Sequence, residues 1–436
     1  MVRTAMAELS EWKNDKYRKP LIIKGARQVG KTWIMKEFGK TAYEQCIYIN
    51  FDSNKRMEEL FSVDMDVDRI INGLELYIGS KIDSENTLLI FDEIQEVPNA
   101  LTSLKYFYEN APQYHILCAG SLLGVALHKG TSFPVGKVDF IDLYPLSFFE
   151  FLSATGNDRY SEILLGGDFE TANTFSSVYI DLLKHYLIIG GMPEVVLRFT
   201  ENKNWDEVRK VQQSILSTYE QDFSKHAPNE IVPRLRMLFN NIPSQLAKEN
   251  KKFIYGRIKK GARAREFELA MQWLIDCGII HKTDRATVPK IPLNAYKDNS
   301  AFKLFIIDVG LLTCMSELSA EAILDGNTIF KEFKGALCEQ YVLQQLKTQK
   351  ELNICYWSNE RNTSEIDFIV SNGKSIIPIE VKAEVNLQSK SLKAYKDKFH
   401  PALSIRTSIR NYKKEDWLLN LPLYAIGTLS RLINDI

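Results

Sequence analysis

Gly25-Ala26-Arg27-Gln28-Val29-Gly30-Lys31-Thr32 fits the phosphate-loop pattern G-x-x-x-x-G-K-[ST] at every position. The apolar run Pro20-Leu21-Ile22-Ile23-Lys24 precedes it and reads as a strand. Trp33-Ile34-Met35-Lys36-Glu37-Phe38 follows and reads as the opening of a helix. Glycines at 25 and 30 let backbone N–H groups curl around phosphate oxygens with no Cβ in the way. The helix N-terminus adds its partial positive charge. In this reading residues Gly25 to Thr32 cradle the phosphates of ATP. Lys31 reaches the β- and γ-phosphates, and Thr32 offers its hydroxyl to Mg²⁺.

Outward from the loop, four more strand candidates follow at 47–51, 88–92, 115–119 and 138–142, with helical patterns between most of them. Leu101, Leu104 and Tyr108, for example, recur at helical spacing. Alternating strands and helices predict a parallel sheet covered on both faces. Leu88-Leu89-Ile90-Phe91 leads into Asp92-Glu93. A buried strand ending in two carboxylates supplies the second half of such a site. Asp92 stands near the metal, and Glu93 orients and deprotonates the attacking water. Alone, the same pair fits a strand that ends in solvated acids. Ser121, after the strand 115–119, is a candidate γ-phosphate sensor. Lys137 is a candidate cation for transition-state charge, and it equally fits a solvated loop lysine.

Composition bounds the rest. At 436 residues the chain is too long for one ordinary core, so two to four domains are expected. Lys+Arg and Asp+Glu are 55 each, which excludes a global basic field and leaves nucleic-acid affinity to local patches. No stretch approaches the ~20 apolar residues that span a bilayer, and residues 1–19 lack a signal-peptide core. The six cysteines form no C-x-x-C pair, which suits reduced thiols in a cytoplasm.

Beyond residue 143 the pattern turns helical, and Gly190-Gly191 followed by Pro193 marks a break between helices. Phe267, Ala270, Met271, Leu274 and Ile275 form one face of a helix that ends near Gly278. Ile279–Lys282 and Phe302–Ile307 read as paired strands, so residues 236–318 are expected to form a winged helix. Just ahead, residues 251–265 hold seven cations and no acid. That run fits a DNA-backbone footprint, and fits a solvated charged loop as well.

A second constellation lies in 319–436. A helix holds Glu339, one strand holds Asp367, and the next holds Glu380 and Lys382. Asn372-Gly373 is a hairpin signal between the two strands. Alternation puts Glu380 and Lys382 on one face. With Asp367 they match the D…(D/E)-x-K spacing of metal-dependent nucleases, with Asp367 and Glu380 as metal ligands. An edge strand with alternating solvated charges fits the same letters.

Taken in order, GARQVGKT (25–32), LLIFDEIQ (88–95), FPVGKV (133–138), LYPLSFFEFL (143–152), GGMPEVV (190–196), DVGLL (308–312), KGALCEQYVLQQL (334–346), EIDFIV (365–370) and IPIEVKA (377–383) resemble a group of prokaryotic AAA-type ATPases with a C-terminal domain of unknown function. The resemblance runs nearly end to end. It implies an α/β chain with a P-loop NTPase domain at 1–165, a helical lid at 166–235, a winged helix at 236–318 and a restriction-endonuclease-like PD-(D/E)xK domain at 319–436. It also implies ATP and Mg²⁺ as the bound groups. Many members carry Arg where this chain has Lys137, which keeps the charge and loses the bidentate fork. Two functions follow. One is an ATPase acting on nucleic acid with a nuclease-like C-terminal domain. The other is a regulatory NTPase switch that controls a protein partner, its C-terminal domain a non-cleaving scaffold.

Overall fold

The computed structural model describes residues 2–120, 133–248, 252–326, 328–359, 364–383 and 389–434. They gather into two compact units, Val2–Tyr144 with Asp276–Gly278, and Pro145–Ile275 with Ile279–Ile436.

The first unit carries five strands, β1 (Leu21–Lys24), β2 (Gln45–Asn50), β3 (Thr87–Asp92), β4 (His115–Ala119) and β5 (Asp139–Asp142). They pair in the order β2-β3-β4-β1-β5, all parallel. The expected strands stand within a residue or two of their places. β3 and β4 are buried at every position, which is why they read as unbroken apolar runs rather than alternations. Among the described residues, helices α1 (Ala5–Asn14), α2 (Lys31–Ala42), α3 (Lys55–Ser62), α4 (Val67–Ile78) and α5 (Pro98–Asn110) accompany the sheet. α4 is bounded as its sequence prescribes. Asp66 caps its first turn by accepting from the Arg69 N–H, and Gly79 ends it in the left-handed conformation. Its apolar face joins a core in which Phe51, Phe61 and Phe91 meet edge to face.

The second unit holds the helices Phe148–Ala154, Ser176–Ile189, Pro193–Asn202, Trp205–His226 and Val232–Leu246, and one mixed sheet. Its strands are β6 (Ile280–Ala286), β7 (Lys297–Ile306), β8 (Asn353–Ser358), β9 (Glu365–Ser371), β10 (Ile376–Val381), β11 (Ser404–Ser408), β12 (Lys413–Lys414) and β13 (Leu418–Pro422). They run in the order β12-β13-β11-β10-β9-β8-β6-β7. β6 and β7 form the expected antiparallel hairpin, Ile280 opposite Ile306. β6 then pairs in parallel with β8 at Arg285–Tyr356 and Ala286–Trp357. The hairpin is therefore the edge of the C-terminal sheet, and the expected boundary at 318 runs through that sheet. A bare β6 edge would leave backbone groups unpaired, and β8 covers it. The Asn372-Gly373 turn joins β9 to β10 as its letters require. Gly373 is left-handed, and the Asn372 side chain accepts from the N–H groups of Lys374 and Ser375.

The helix Thr328–Lys347 locks this unit together through glutamines. Gln340 takes both backbone groups of Ile306, at 3.1 and 2.6 Å. Gln344 accepts from the Val309 N–H and donates to Asp308. Gln345 accepts from the Phe148 N–H at 2.8 Å. Asp308, wholly buried, accepts from the Gly191 N–H at 2.6 Å. Burial pushes its carboxyl above the usual range, against those backbone donors. The break at Gly190-Gly191 follows from this contact, since a Cβ on Gly190 would run into the Asp308 carboxylate. Five of the six cysteines are buried, and all are free thiols. Among the described residues no helix is long and apolar enough to cross a membrane.

Candidate nucleotide site

The phosphate loop leaves β1 at Gly25, whose positive φ no side chain tolerates well. A Cβ there would also collide with the Leu143 carbonyl. Gln28 is left-handed, and Gly30 at φ 96° turns the chain into α2. From the N-terminal side Arg3 reaches in, 5% exposed. Its guanidinium donates to the Val29 carbonyl at 3.1 Å and to the Tyr144 carbonyl at 2.6 Å.

Lys31 is buried, and its Nζ donates to the carbonyls of Gly25 at 2.9 Å and Ala26 at 2.7 Å. Burial lowers its pKa to about 8, opposed by the nearby carboxylates of Glu93 and Asp92 and aided by Arg27. Thr32 Oγ1 donates to Asp92 Oδ2 at 2.7 Å. The same oxygen accepts from the Tyr48 hydroxyl at 2.9 Å, while Asp92 Oδ1 accepts from the Glu93 N–H. Glu93 is left-handed, φ 52°, and its Oε2 accepts from Gln95 at 2.6 Å. β4 stands between β1 and β3, so its C-terminal end opens between the loop and the two acids.

Tyr48 escaped the sequence reading. Burial raises its hydroxyl pKa, as does the bond to Asp92, and the Lys36 ammonium lies 3.6 Å from its ring centroid. Its signal was a tyrosine two residues before the end of β2, the strand that pairs with the acid-bearing β3. Arg3 gave no signal, because nothing local joins a lead-in arginine to a loop 26 residues on.

Ser121 lies outside the described residues. Lys137 does not join the site. It precedes β5, whose first residue Asp139 pairs with Leu21, at the edge of the sheet opposite the phosphate loop. There its Nζ binds Glu109 at 2.9 Å and lies over the Tyr108 ring. A parallel register puts strand starts and strand ends on opposite edges, so Lys137 cannot serve the phosphates of its own loop.

The C-terminal constellation is assembled differently from its expected form. Glu380 and Lys382 share a face and pair at 2.7 Å. Asp367 Oδ2 accepts from the Val381 N–H at 2.7 Å. Glu339 turns instead toward Lys303 of β7, an ammonium with no exposed side-chain surface. Lys303 Nζ lies 3.4 Å from Glu339 and 2.5 Å from Glu365. Desolvation would lower its pKa, but the carboxylates of Glu339, Glu365 and Asp367 outweigh it and raise the value. Among the described residues no group of three or more His, Cys, Asp and Glu side chains is placed to hold a metal ion. Lys303 thus stands beside Glu339 and Glu365, and Lys382 beside Glu380.

Residues 17–152 match the family model of an AAA domain. Residues 180–322 and 334–425 match two models described as domains of unknown function, DUF8612 and DUF4143. No curated protein matches the chain. Among solved structures, the chain is similar to the Walker-type ATPase PABY2304 of Pyrococcus abyssi. The identity is 15% over 71% of this chain and 94% of that one, with TM-score 0.45. It is also similar to the RuvB Holliday junction branch migration motor of Thermotoga maritima, at 12% identity over 64% and 87%, with TM-score 0.26. The five-stranded unit is thus a P-loop, nucleotide-binding domain of the AAA ATPase type, joined to regions whose function carries no assignment.

Proposed function

We propose that this chain binds ATP with Mg²⁺ and hydrolyses it at the end of β1 and β3. The observation that carries this reading is the Lys31, Thr32, Asp92 and Tyr48 cluster beneath the phosphate loop. The loop's N–H groups and the α2 N-terminus receive phosphate oxygens. Lys31 exchanges the Gly25 and Ala26 carbonyls for the phosphates, a better acceptor for a buried ammonium. Thr32 and Asp92 suit a hard cation, since a hydroxyl and a carboxylate oxygen already converge at 2.7 Å. Mg²⁺ there would neutralise charge on the β- and γ-phosphates. Glu93 takes the proton of the attacking water, held in aim by Gln95.

Lys31→Ala should abolish ATP binding by calorimetry. Glu93→Gln should keep binding and lose roughly 10²-fold or more in turnover. Equal ATP affinity in wild type and Lys31→Ala would place the site elsewhere.

For the second unit, Lys303 supports the reading in which the C-terminal sheet is a non-cleaving scaffold. Acids neutralised by an internal ammonium have less call for a metal ion. Incubation of the full chain with DNA and Mn²⁺ should leave the DNA intact. Cleavage that vanishes in Lys382→Ala would restore the nuclease reading.

A further inference from the structure

The basic run ahead of β6 takes no part in either site. Its described portion is built as a rigid base carrying an exposed crown. At the base, Phe253 donates its N–H to the Phe302 carbonyl at 2.8 Å and stacks on the Phe302 ring at 5.5 Å. Tyr255 packs between Phe302 and Phe267. Gln245, 1% exposed, holds both backbone groups of Ile254, accepting its N–H at 3.2 Å and donating to its carbonyl at 3.1 Å. Above this base the chain makes a short 3-10 turn, Tyr255–Arg257. A second turn is closed by the Ala262 N–H on the Lys259 carbonyl. The helix Ala264–Asp276 follows.

Arg257, Lys259, Lys260, Arg263 and Arg265 are all exposed. None of the five makes an ion pair among the described residues, whereas Lys24, Arg69, Lys81 and Lys137 elsewhere do. The first carboxylates, Glu266 and Glu268, come only on the helix. Five unpaired cations within nine residues repel one another and would rather be neutralised. Burial and the neighbouring Arg257 also lower the Lys248 ammonium to about 8.

We propose that residues 257–265 are a docking surface for the phosphate backbone of a nucleic acid. Two features favour that partner over an acidic protein. A protein interface draws its energy from buried aromatic and apolar anchors, and here the aromatics face inward to brace the loop. Between the cations stand Ile258, Gly261, Ala262 and Ala264, three of them small enough to let a backbone approach closely and offer little to bury. The loop has no Asn, Gln, Asp or Glu between 252 and 265. Adenine and cytosine readout by those side chains is therefore missing, and phosphate contacts position the duplex without specifying it.

The test is fluorescence anisotropy of the full chain with a labelled mixed-sequence duplex, over a salt series. Five phosphate contacts give a log–log salt slope of about −4.5, a loss of roughly 500-fold in affinity between about 50 and about 200 mM salt. The triple substitution Arg257→Gln, Lys259→Gln, Lys260→Gln should bring the slope to about −1.8 and the loss to about 12-fold. All three side chains are exposed, so folding should survive, and far-UV circular dichroism checks it. ATP turnover without DNA should be unchanged in the triple variant, which separates failure here from failure of the nucleotide site. A folded triple variant with the wild-type salt slope would overturn the proposal. So would binding to phosphatidylserine vesicles with none to DNA.

Discussion

Replacing Lys303 by Met tests whether its ammonium is the cation on which the C-terminal acids depend. Met keeps the volume and the unbranched stem, so packing is largely preserved and the loss comes from charge. The side chain is 0% exposed, Glu339 6% and Glu365 23%. At an effective dielectric of about 20, the 3.4 Å contact to Glu339 is worth about 5 kcal/mol of Coulomb attraction. Desolvation of the ammonium offsets much of that. Glu365 contributes less than its distance implies, because water reaches it. What the substitution exposes is the cost of a buried carboxylate left without its partner, about 3–5 kcal/mol. Against a total stability of ~5–15 kcal/mol, that is a large share. Urea unfolding followed by tryptophan fluorescence would read it, since Trp205, Trp273, Trp357 and Trp417 all lie in the larger unit. The double variant Lys303→Met, Glu339→Gln should recover a substantial part of the loss, because the orphaned charge is gone. Because its folded pKa is raised, the lysine's contribution is fully present below its unfolded pKa of about 10.4, and disappears only as pH rises through the folded value. The difference between wild type and Lys303→Met should therefore not shrink as pH rises from neutral to about 9. A loss under about 1 kcal/mol at neutral pH would refute the assignment, since a pair worth so little behaves as a surface ion pair.

Four further outcomes can be checked directly. Tyr48→Phe removes one of the two hydroxyl donors to Asp92 Oδ2 and should raise the Mg²⁺ concentration for half-maximal ATPase by about tenfold, the effect of losing one bond to a charged group. Arg3→Met frees the Val29 and Tyr144 carbonyls and should raise KM for ATP about tenfold with a smaller change in kcat, Arg3→Lys recovering part of it. Because Lys31 in the free protein titrates near 8 and the phosphate-bound form needs the ammonium, ATP affinity measured by calorimetry should be flat below that pH and fall as pH rises above it, with proton uptake on binding. Gly191→Ala drives a methyl into the buried Leu146 backbone and should lower stability by about 2 kcal/mol or more, read as a drop in Tm.

Much of the first unit could be read along the chain because its signals are local. The loop at 25–32 names its residues outright, and buried parallel strands show as apolar runs. Pairing partners far apart in sequence leave no such mark. β6 meets β8 at only two residue pairs, about seventy positions apart, so the hairpin looked like the wing of a separate domain. Lys137 was misplaced for a related reason: its letters say loop, and only the strand register says which edge of the sheet that loop is on. Lys303 could have been found. A lysine within Ala301-Phe302-Lys303-Leu304-Phe305 is costly in a buried strand, and that cost calls for acid partners, which the folded chain supplies in Glu339 and Glu365. The glutamines of the helix Thr328–Lys347 carry a repeated letter, but their partners, Ile306, Val309 and Phe148, could be known only from the folded chain.

Those glutamines also set a timetable for the chain's birth. The Phe148 N–H meets Gln345 across 197 residues, and Asn173 meets Tyr412 across 239. A ribosome adding about 5–20 residues per second needs about 10–40 s to deliver Gln345 after Phe148. The strands of the first sheet end at Asp142, so all five have been synthesised before that interval begins. The helices from 148 to 246 must wait it out with the Phe148 amide lacking its acceptor Gln345 and the Tyr186 hydroxyl lacking its donors Gln344 and Gln345. Expressing residues 145–318 alone would make that waiting state permanent.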